Sequence, residues 1–455
     1  MSKINQLASS EIARPKPRIA IIGSGISGLS AAWGLHRDCE VHVFEKNDYV
    51  GGHTNTVTFD APEGPVPVDT GFIVYNDPNY PNLSALFNQL GIGSTETEMH
   101  FSVSARDRGL EYASNGISGI FADLRNITRP RFFAMLADIL RFYAAAPNLI
   151  GASDDLTLGE FLKRKKYGAS FIHDHILPMA AAIWSCPVGT ILDFPVKSLA
   201  RFFINHGLVE LGTPFEWKSV HGGSASYIAP MTANFRDRII CNTPVHSVRR
   251  LNNGVELLFE GGNRRHFDKV VFACHAPTAL ALLDDPSTEE QNVLRKFKIQ
   301  PNKAVLHTDD NFMPRRKRAW ASWNYLSNFS SQQEISVTYW MNALQNLPTS
   351  TNCFVTLNPL HMPQPEKIIA SFDYDHPIFD PAASKAQREI WNIQGTNNVW
   401  FAGAWMGYGF HEDGLQAGLA VAEMMTNWRR PWAFDYATER LSRPDAGDFS
   451  KRIAA

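Results

Sequence analysis

Up to residue 17 the chain is polar and proline-bearing, which predicts a disordered lead-in, and at Arg18 the pattern changes. RIAII is a short β-branched run, GSGISG a glycine turn, LSAAWGLHR an apolar run of helical character, and VHVFEK (Val41–Lys46) a second strand. Strand, turn, helix and strand in that order make a βαβ unit, whose crossover predicts a parallel sheet covered by helices. From about Pro78 to Gly212 helical periodicity takes over, as in RFFAMLADILRFYAAAPNLI. Strand signals return between Cys241 and Ala273, in PVHSVRRL, the turn NNG, VELLFE, the turn GGN and KVVFAC. After a mixed region (residues 290–395), NVWFAGAWMGYGFHEDGLQAGLAVAEMM reads as a strand, a glycine-rich loop and a closing helix. There is no internal repeat.

At 455 residues the chain is long for one core, so two domains are expected. A formal charge of −2 offers no general attraction to nucleic acid, which is not expected as a partner, or to anionic lipid, so any such binding would have to come from a local patch. The cysteines Cys39, Cys186, Cys241, Cys274 and Cys353 are odd in number and contain no CxxC pair. They supply neither a disulfide framework nor a zinc site, so no metal is expected and a reducing compartment fits best. The apolar run from Ile19 to Leu35 is interrupted by four glycines, and no other stretch approaches the roughly 20 apolar residues of a membrane span. The expectation is a cytoplasmic protein, with peripheral contact at the inner face of the membrane left open.

Gly23, Gly25 and Gly28 form G-x-G-x-x-G, with Ile26 and Ser27 inside the motif. The first glycine permits the tight turn, the second lets backbone approach a pyrophosphate, and the third lets the helix pack closely on the strand. The pyrophosphate then rests on the free N–H groups and positive dipole of the helix N-terminus. Glu45, followed by Lys46, ends the next strand, where its carboxylate can accept hydrogen bonds from ribose hydroxyls.

Beyond Glu45 the segment EKNDYVGGHTNT, with Gly51 and Gly52, resembles the flavin-containing amine oxidase superfamily, which includes amine oxidases, protoporphyrinogen oxidases and carotenoid desaturases. That family usually places arginine after the Gly-Gly pair; this chain has His53. The resemblance continues through VDTGF, HGGSASYIAPM, TPVHSV and KVVFACHAP, and implies that Val245 meets an adenine through its backbone. It ends in VWFAGAWMGYGFHEDGLQAGLAVA, which keeps Gly403, Gly409, Gly414 and Gly418 but has Ala404 where the family normally carries an acid. The cofactor implied is FAD, held non-covalently because the loop contains no cysteine. A helix beginning near His411 and Glu412 would aim N–H groups at the pyrimidine end of the flavin, where negative charge develops. With a single G-x-G-x-x-G there is no second nucleotide site, so electrons are expected to come from the organic substrate. They leave to oxygen or a quinone, or return to the substrate in an isomerisation.

The expected fold is α/β: a Rossmann-like FAD-binding domain assembled from residues 18–76, 213–290 and 395–430. An α+β substrate domain (77–212 and 291–394) is inserted, and 431–455 form a C-terminal tail. The resemblance implies Lys303, Trp405 and Tyr408 as catalytic candidates, Lys303 through a water near the flavin. An exposed strand lysine is the alternative. Trp405, Tyr408 and Phe410 serve equally as packing or as walls for an apolar substrate. His307 and Asp309 share a strand face, as an acid–base pair or as a structural hydrogen bond. AAIWSCP (Ala181–Pro187) and RFFINHG (Arg201–Gly207) read as lining of the inserted domain. The stretch Arg129–Ile150 sets Phe132, Leu136, Ile139 and Tyr143 on one helical face, as a core helix or one lying on a membrane, and PRRKRAWASW (Pro314–Trp323) combines basic residues with tryptophans. Together these point to hydride abstraction from a C–H bond of an apolar, fatty-acyl-like or other lipid substrate. Amine oxidation and a non-catalytic flavin-binding redox protein are the alternatives.

Overall fold

The computed structural model describes residues 15–105, 108–153, 155–184, 188–205, 207–209, 215–327, 335–433 and 440–443. Most of the expected lead-in, much of the expected tail, and Ser185–Pro187 of the proposed lining lie outside these residues. Five strands pair in parallel in the order Ile239–Ile240, Glu40–Phe44, Arg18–Ile22, Lys269–Phe272, Val399–Phe401. Arg18–Ile22 and Lys269–Phe272 are buried along nearly their whole length, which is why their apolar runs show no alternation. An antiparallel meander, Val245–Leu251, Gly254–Phe259 and Arg264–Phe267, covers this sheet through Phe259 and Phe267, whose rings pack on Phe44.

Helices Ile26–Leu35 and His411–Met425 pack side by side along a seam of small residues. A Cβ on Gly414 would meet Ile26 and Ser27, one on Gly418 would lie 2.0 Å from Ser30 Oγ, and one on Gly34 would lie 2.6 Å from Ala422. Both sets of contacts advance in the same direction, so the helices run parallel and their N-termini share one end.

A second sheet has seven strands in the order Ile368–Ile378, Lys298–His307, Phe354–Leu357, Ile335–Trp340, Trp323–Ser327, Phe101–Ala105, Leu110–Ala113. Only the pair Trp323–Ser327 and Phe101–Ala105 is parallel among these neighbours. Helices between Ile117 and Asn205 form a lobe with its own core, including Phe132, Phe142, Phe161, Phe171 and Phe203. The fold is therefore α/β, a Rossmann-like sheet joined to a sheet-and-helix unit. Within 431–455, Trp432 stacks on Trp33 at 5.9 Å and Arg440, its side chain 7% exposed, reaches Asp413 at 3.5 Å. No helix among the described residues is long and apolar enough to cross a membrane.

Candidate active site

Because the five strands are parallel, all their carboxyl ends lie at one edge. There the turn after Ile22, the segment after Phe44, and the segments after Ile240, Phe272 and Phe401 converge. The joins are backbone hydrogen bonds: Gly23 N–H to Phe44 O at 2.9 Å, Ala273 N–H to Ile22 O at 2.9 Å and Ala402 N–H to Phe272 O at 2.9 Å. This is where an open parallel sheet binds ligands.

The cradle is backbone. Gly23 has φ +106°, and a Cβ on Gly28 would lie 2.0 Å from Gly23 O, so the turn and the helix leave no room for side chains. Gly25 is different: a Cβ there meets nothing within 4 Å, and it faces open space at the N-cap of helix Ile26–Leu35. That helix has no side-chain cap and no acid in its first turn, so its N-terminal N–H groups are left for an anion. Gly51 and Gly52, at φ +127° and +61°, pack over Gly25, with an isolated bridge between Gly25 and Gly51. Buried Glu45 accepts hydrogen bonds from Ser24 N–H (2.9 Å) and Oγ (2.7 Å), and its other oxygen from Asn47 N–H (2.9 Å). Val245 opens the meander beside it, and Lys46 is exposed. An uncapped helix end, an open glycine and a carboxylate one strand away fit the pyrophosphate and ribose of FAD.

Beyond the cradle lies a cluster of histidines that sequence reasoning did not assemble. His53 stacks on Tyr374 at 4.8 Å and meets His376 at 5.2 Å. Asn302 Nδ2 lies 2.7 Å from His376 Nδ1, and Tyr374 OH accepts from Asn55 Nδ2 at 3.0 Å. His53, His275 and His376 are partly accessible as residues although their rings lie deep in the molecule. Burial holds each below the ordinary imidazole range, His376 to about 4; His376 and His275 add to the depression at His53, and His275 to that at His376. His53 Nε2 and His275 Nδ1 are buried without a hydrogen-bond partner. The one signal available in sequence was position: His53 follows the second glycine pair, and His275 follows the strand Lys269–Phe272.

The sequence-predicted residues divide on placement. Gly403 keeps its glycine because a Cβ would lie 2.1 Å from Trp405 Nε1. Trp405 itself turns away from the loop into the core, donating to Cys274 O at 3.0 Å and packing on Phe297 at 4.5 Å. Ala404 lies 3.7 Å from the Cβ position of Gly414, at the joint N-terminal end of the two helices. His411 also turns inward: its ring stacks on Phe72 at 3.9 Å and its Nε2 lies 2.8 Å from Tyr227 OH, leaving only its backbone toward the cavity. Burial pushes its imidazole down to about 3. Glu412 is fully buried and accepts from Asn82 N–H, Asn82 Nδ2, Leu83 N–H and Gln416 Nε2 at 2.8–3.1 Å. It thus caps helix Pro81–Leu90.

Lys303 is half-exposed and pairs with exposed Asp373 at 2.9 Å, because alternation along its strand turns the neighbouring Asn302 and Ala304 inward instead. His307 Nε2 lies 2.7 Å from Thr356 Oγ1, and its Nδ1 accepts from Asp309 N–H at 3.0 Å, while Asp309 pairs with Lys367. That is a structural arrangement. Tyr408 and Phe410 face the helical lobe: Arg201 Nη1 donates to Tyr408 OH at 3.4 Å, and Phe410 stacks on Phe202 at 4.9 Å. Trp184 and Phe379 complete this aromatic wall.

The sequence profile described as flavin containing amine oxidoreductase matches residues 26–370. Among solved structures, putrescine oxidase bound to putrescine is 16% identical with a TM-score of 0.65, covering 90% of this chain and 99% of that one. Cyclohexylamine oxidase from Brevibacterium oxydans IH-35A is 16% identical with a TM-score of 0.65, covering 90% and 100%. The CLA-producing fatty acid isomerase from P. acnes is 16% identical with a TM-score of 0.63, covering 90% and 98%. No curated protein matches significantly. A profile match over most of the chain, a fold shared end to end, and a backbone cradle suited to a dinucleotide agree. The chain belongs to the flavin-containing amine oxidoreductase family and is an FAD-dependent oxidoreductase.

Proposed function

We propose that this enzyme removes hydrogen from a carbon–carbon unit of an apolar, acyl-chain-like molecule with an anionic end. The observation that carries the reading is the pairing of an aromatic wall with a guanidinium. Trp184, Phe202, Phe379 and Phe410 stand against the glycine loop, and Arg201 reaches Tyr408 on that loop. A hydrocarbon chain gains by filling such a wall, and a carboxylate gains from Arg201. An ammonium substrate meets a like charge there. Lys303, the residue that favoured amine chemistry, pairs outward with Asp373.

FAD, when bound, supplies the centre that accepts a hydride. The aromatic wall orients the chain and excludes water, and Arg201 sets how deep the chain enters. Desaturation releases one hydride and one proton from adjacent carbons. The proton needs a neutral base, and the unpartnered Nε2 of His53 or Nδ1 of His275 offers one; burial keeps both imidazoles uncharged beforehand and, by disfavouring the imidazolium, makes them weak, transient acceptors. Electrons then leave to oxygen or a quinone.

The test is the flavin absorption band of the purified holoenzyme without oxygen. Long-chain fatty acids should bleach it, and mono- and diamines should not. Bleaching by amines alone overturns the reading. An unbleached band with a rearranged double bond in the recovered acid would mean redox-neutral isomerisation, and an unchanged band with unchanged acid a non-catalytic flavoprotein.

A further inference from the structure

The helical lobe presents an apolar face that no described part of the chain covers. Seven large apolar side chains are exposed among the described residues, and five of them fall between Ile117 and Leu140. Ile117 is 79% exposed, Leu124 64%, Ile127 53%, Leu140 50% and Phe133 46%. Ile117–Ile120, the turn Leu124–Thr128 and helix Pro130–Leu149 follow one another directly, and Phe121 bridges them by packing on Phe132 and Phe133 at 6.0 and 6.4 Å.

The long helix shows the anomaly best. Its inward face, Phe132, Met135, Ile139 and Phe142, fills the lobe core. Its outward face should then be polar, yet Phe133, Ala134, Ala137, Leu140 and Ala144 lie on it. The exposed charge framing this face is basic, because each of its arginines pairs with a largely buried aspartate. Arg125, Arg131 and Arg141 have side chains 60%, 58% and 49% exposed. The basic turn Lys317–Ala319 packs beside Ile117–Ile120. The aspartates here are paired and largely buried: Asp123 with Arg125 and Arg316, Asp138 with Arg141, and Asp174 with Arg131.

We infer that this face docks in plane on the surface of an anionic lipid bilayer. An amphipathic helix of this kind lies at the headgroup boundary with its apolar side chains inserted, and basic residues at its margins attract anionic lipid. The same charge disfavours a second copy of the chain as occupant, because self-association would bring the arginines together. The face is separate from the aromatic wall, so docking does not depend on what the enzyme oxidises.

Flotation of the full-length holoenzyme with extruded vesicles tests this, with bound protein scored by flavin absorbance. Vesicles of equimolar phosphatidylcholine and phosphatidylglycerol should carry at least about tenfold more protein than phosphatidylcholine alone, and added salt should weaken the binding. Phe133→Ser with Leu140→Ser should reduce binding about tenfold while leaving the flavin spectrum unchanged and Tm lowered by no more than about 2–3 °C, since both side chains are half-exposed. Absence of flotation with both vesicles overturns the inference, as does flotation indifferent to the double substitution. Loss of a dimer in sedimentation velocity on that substitution would assign the face to a second copy and overturn it as well. Because flotation needs no turnover, its result is independent of the anaerobic bleaching assay.

Discussion

Replacing Glu412 by glutamine separates a structural residue from a cofactor ligand. Its carboxylate gathers four donors: Oε1 accepts from Asn82 N–H (3.1 Å), Asn82 Nδ2 (2.8 Å) and Gln416 Nε2 (2.8 Å), and Oε2 from Leu83 N–H (2.9 Å). In Glu412→Gln one oxygen becomes an amide NH2. Facing Leu83, it opposes a donor with a donor and leaves a buried helix-terminal N–H unpaired, while the remaining bonds lose their charge assistance. Together these cost about 3 kcal/mol. At roughly 1 °C per kcal/mol for a chain of this size, Tm should fall by about 3 °C. The assay is thermal unfolding by circular dichroism at saturating FAD, alongside the Kd of FAD from flavin fluorescence. Kd should change less than about threefold, because the carboxylate is committed to Asn82 and Leu83 rather than to the cavity. A Kd weakened tenfold or more with an unchanged Tm would refute this reasoning and return Glu412 to the cofactor.

Gly25→Val should leave Tm at saturating FAD little changed but weaken FAD at least about tenfold, because its Cβ points into open space at the anion site; Gly28→Val should fail to fold, its Cβ meeting Gly23 O at 2.0 Å. His411 has a folded-state pKa depressed to about 3, so the stability linked to its neutral form is present above about 6.5 and lost as pH falls toward 3. Near pH 5 this amounts to about 2 kcal/mol, and His411→Phe should make the acid limb of Tm against pH shallower by that amount. Identical limbs in the two proteins would contradict it. Arg201→Met should raise KM for a free fatty acid about tenfold while leaving KM for its neutral methyl ester nearly unchanged, and equal effects on both would remove Arg201 from carboxylate recognition.

The cofactor half of the site was legible because its chemistry is made by backbone, and backbone demands leave marks in sequence. Gly23, Gly25 and Gly28 between an unbroken apolar strand and a helix, answered by Glu45, define a cradle without side-chain detail. The catalytic half was harder to read, since side-chain direction depends on phase. Lys303 and Asn302 are neighbours, and only pairing with Ile368–Ile378 and Phe354–Leu357 decides which faces inward. Trp405 lies in the right loop yet points behind it, because Gly403 has no side chain to keep the indole out. His53, His275 and His376 belong to three distant segments, and nothing local announces that they meet. The outward face of Pro130–Leu149 was missed for a related reason: the heptad-like set beginning at Phe132 accounts for the helix so well that Phe133 and Leu140, one residue out of phase, drew no attention.

The parallel packing of helices Ile26–Leu35 and His411–Met425 ties stability to cofactor binding. Two dipoles running side by side in the same direction repel, and their positive ends are concentrated at one place. Antiparallel packing would have cancelled this field; here Glu412 and Asp413 in the first turn of the second helix offset part of it, and the uncapped end of the first is left for an anion. Bound as the G-x-G-x-x-G turn implies, the diphosphate of FAD would supply that charge at the first helix, and the pyrimidine edge of the flavin would supply it at the second. Close approach is what makes the field strong, and glycine at 34, 414 and 418 is what permits it. A substitution in that seam therefore separates both helix ends together, lowering stability and FAD affinity in step, whereas a substitution at Gly25 lowers affinity alone. The seam also explains why the C-terminal glycines belong to the same motif as G-x-G-x-x-G although almost the whole chain lies between them: each half of the anion site is shaped by the other half's missing side chains.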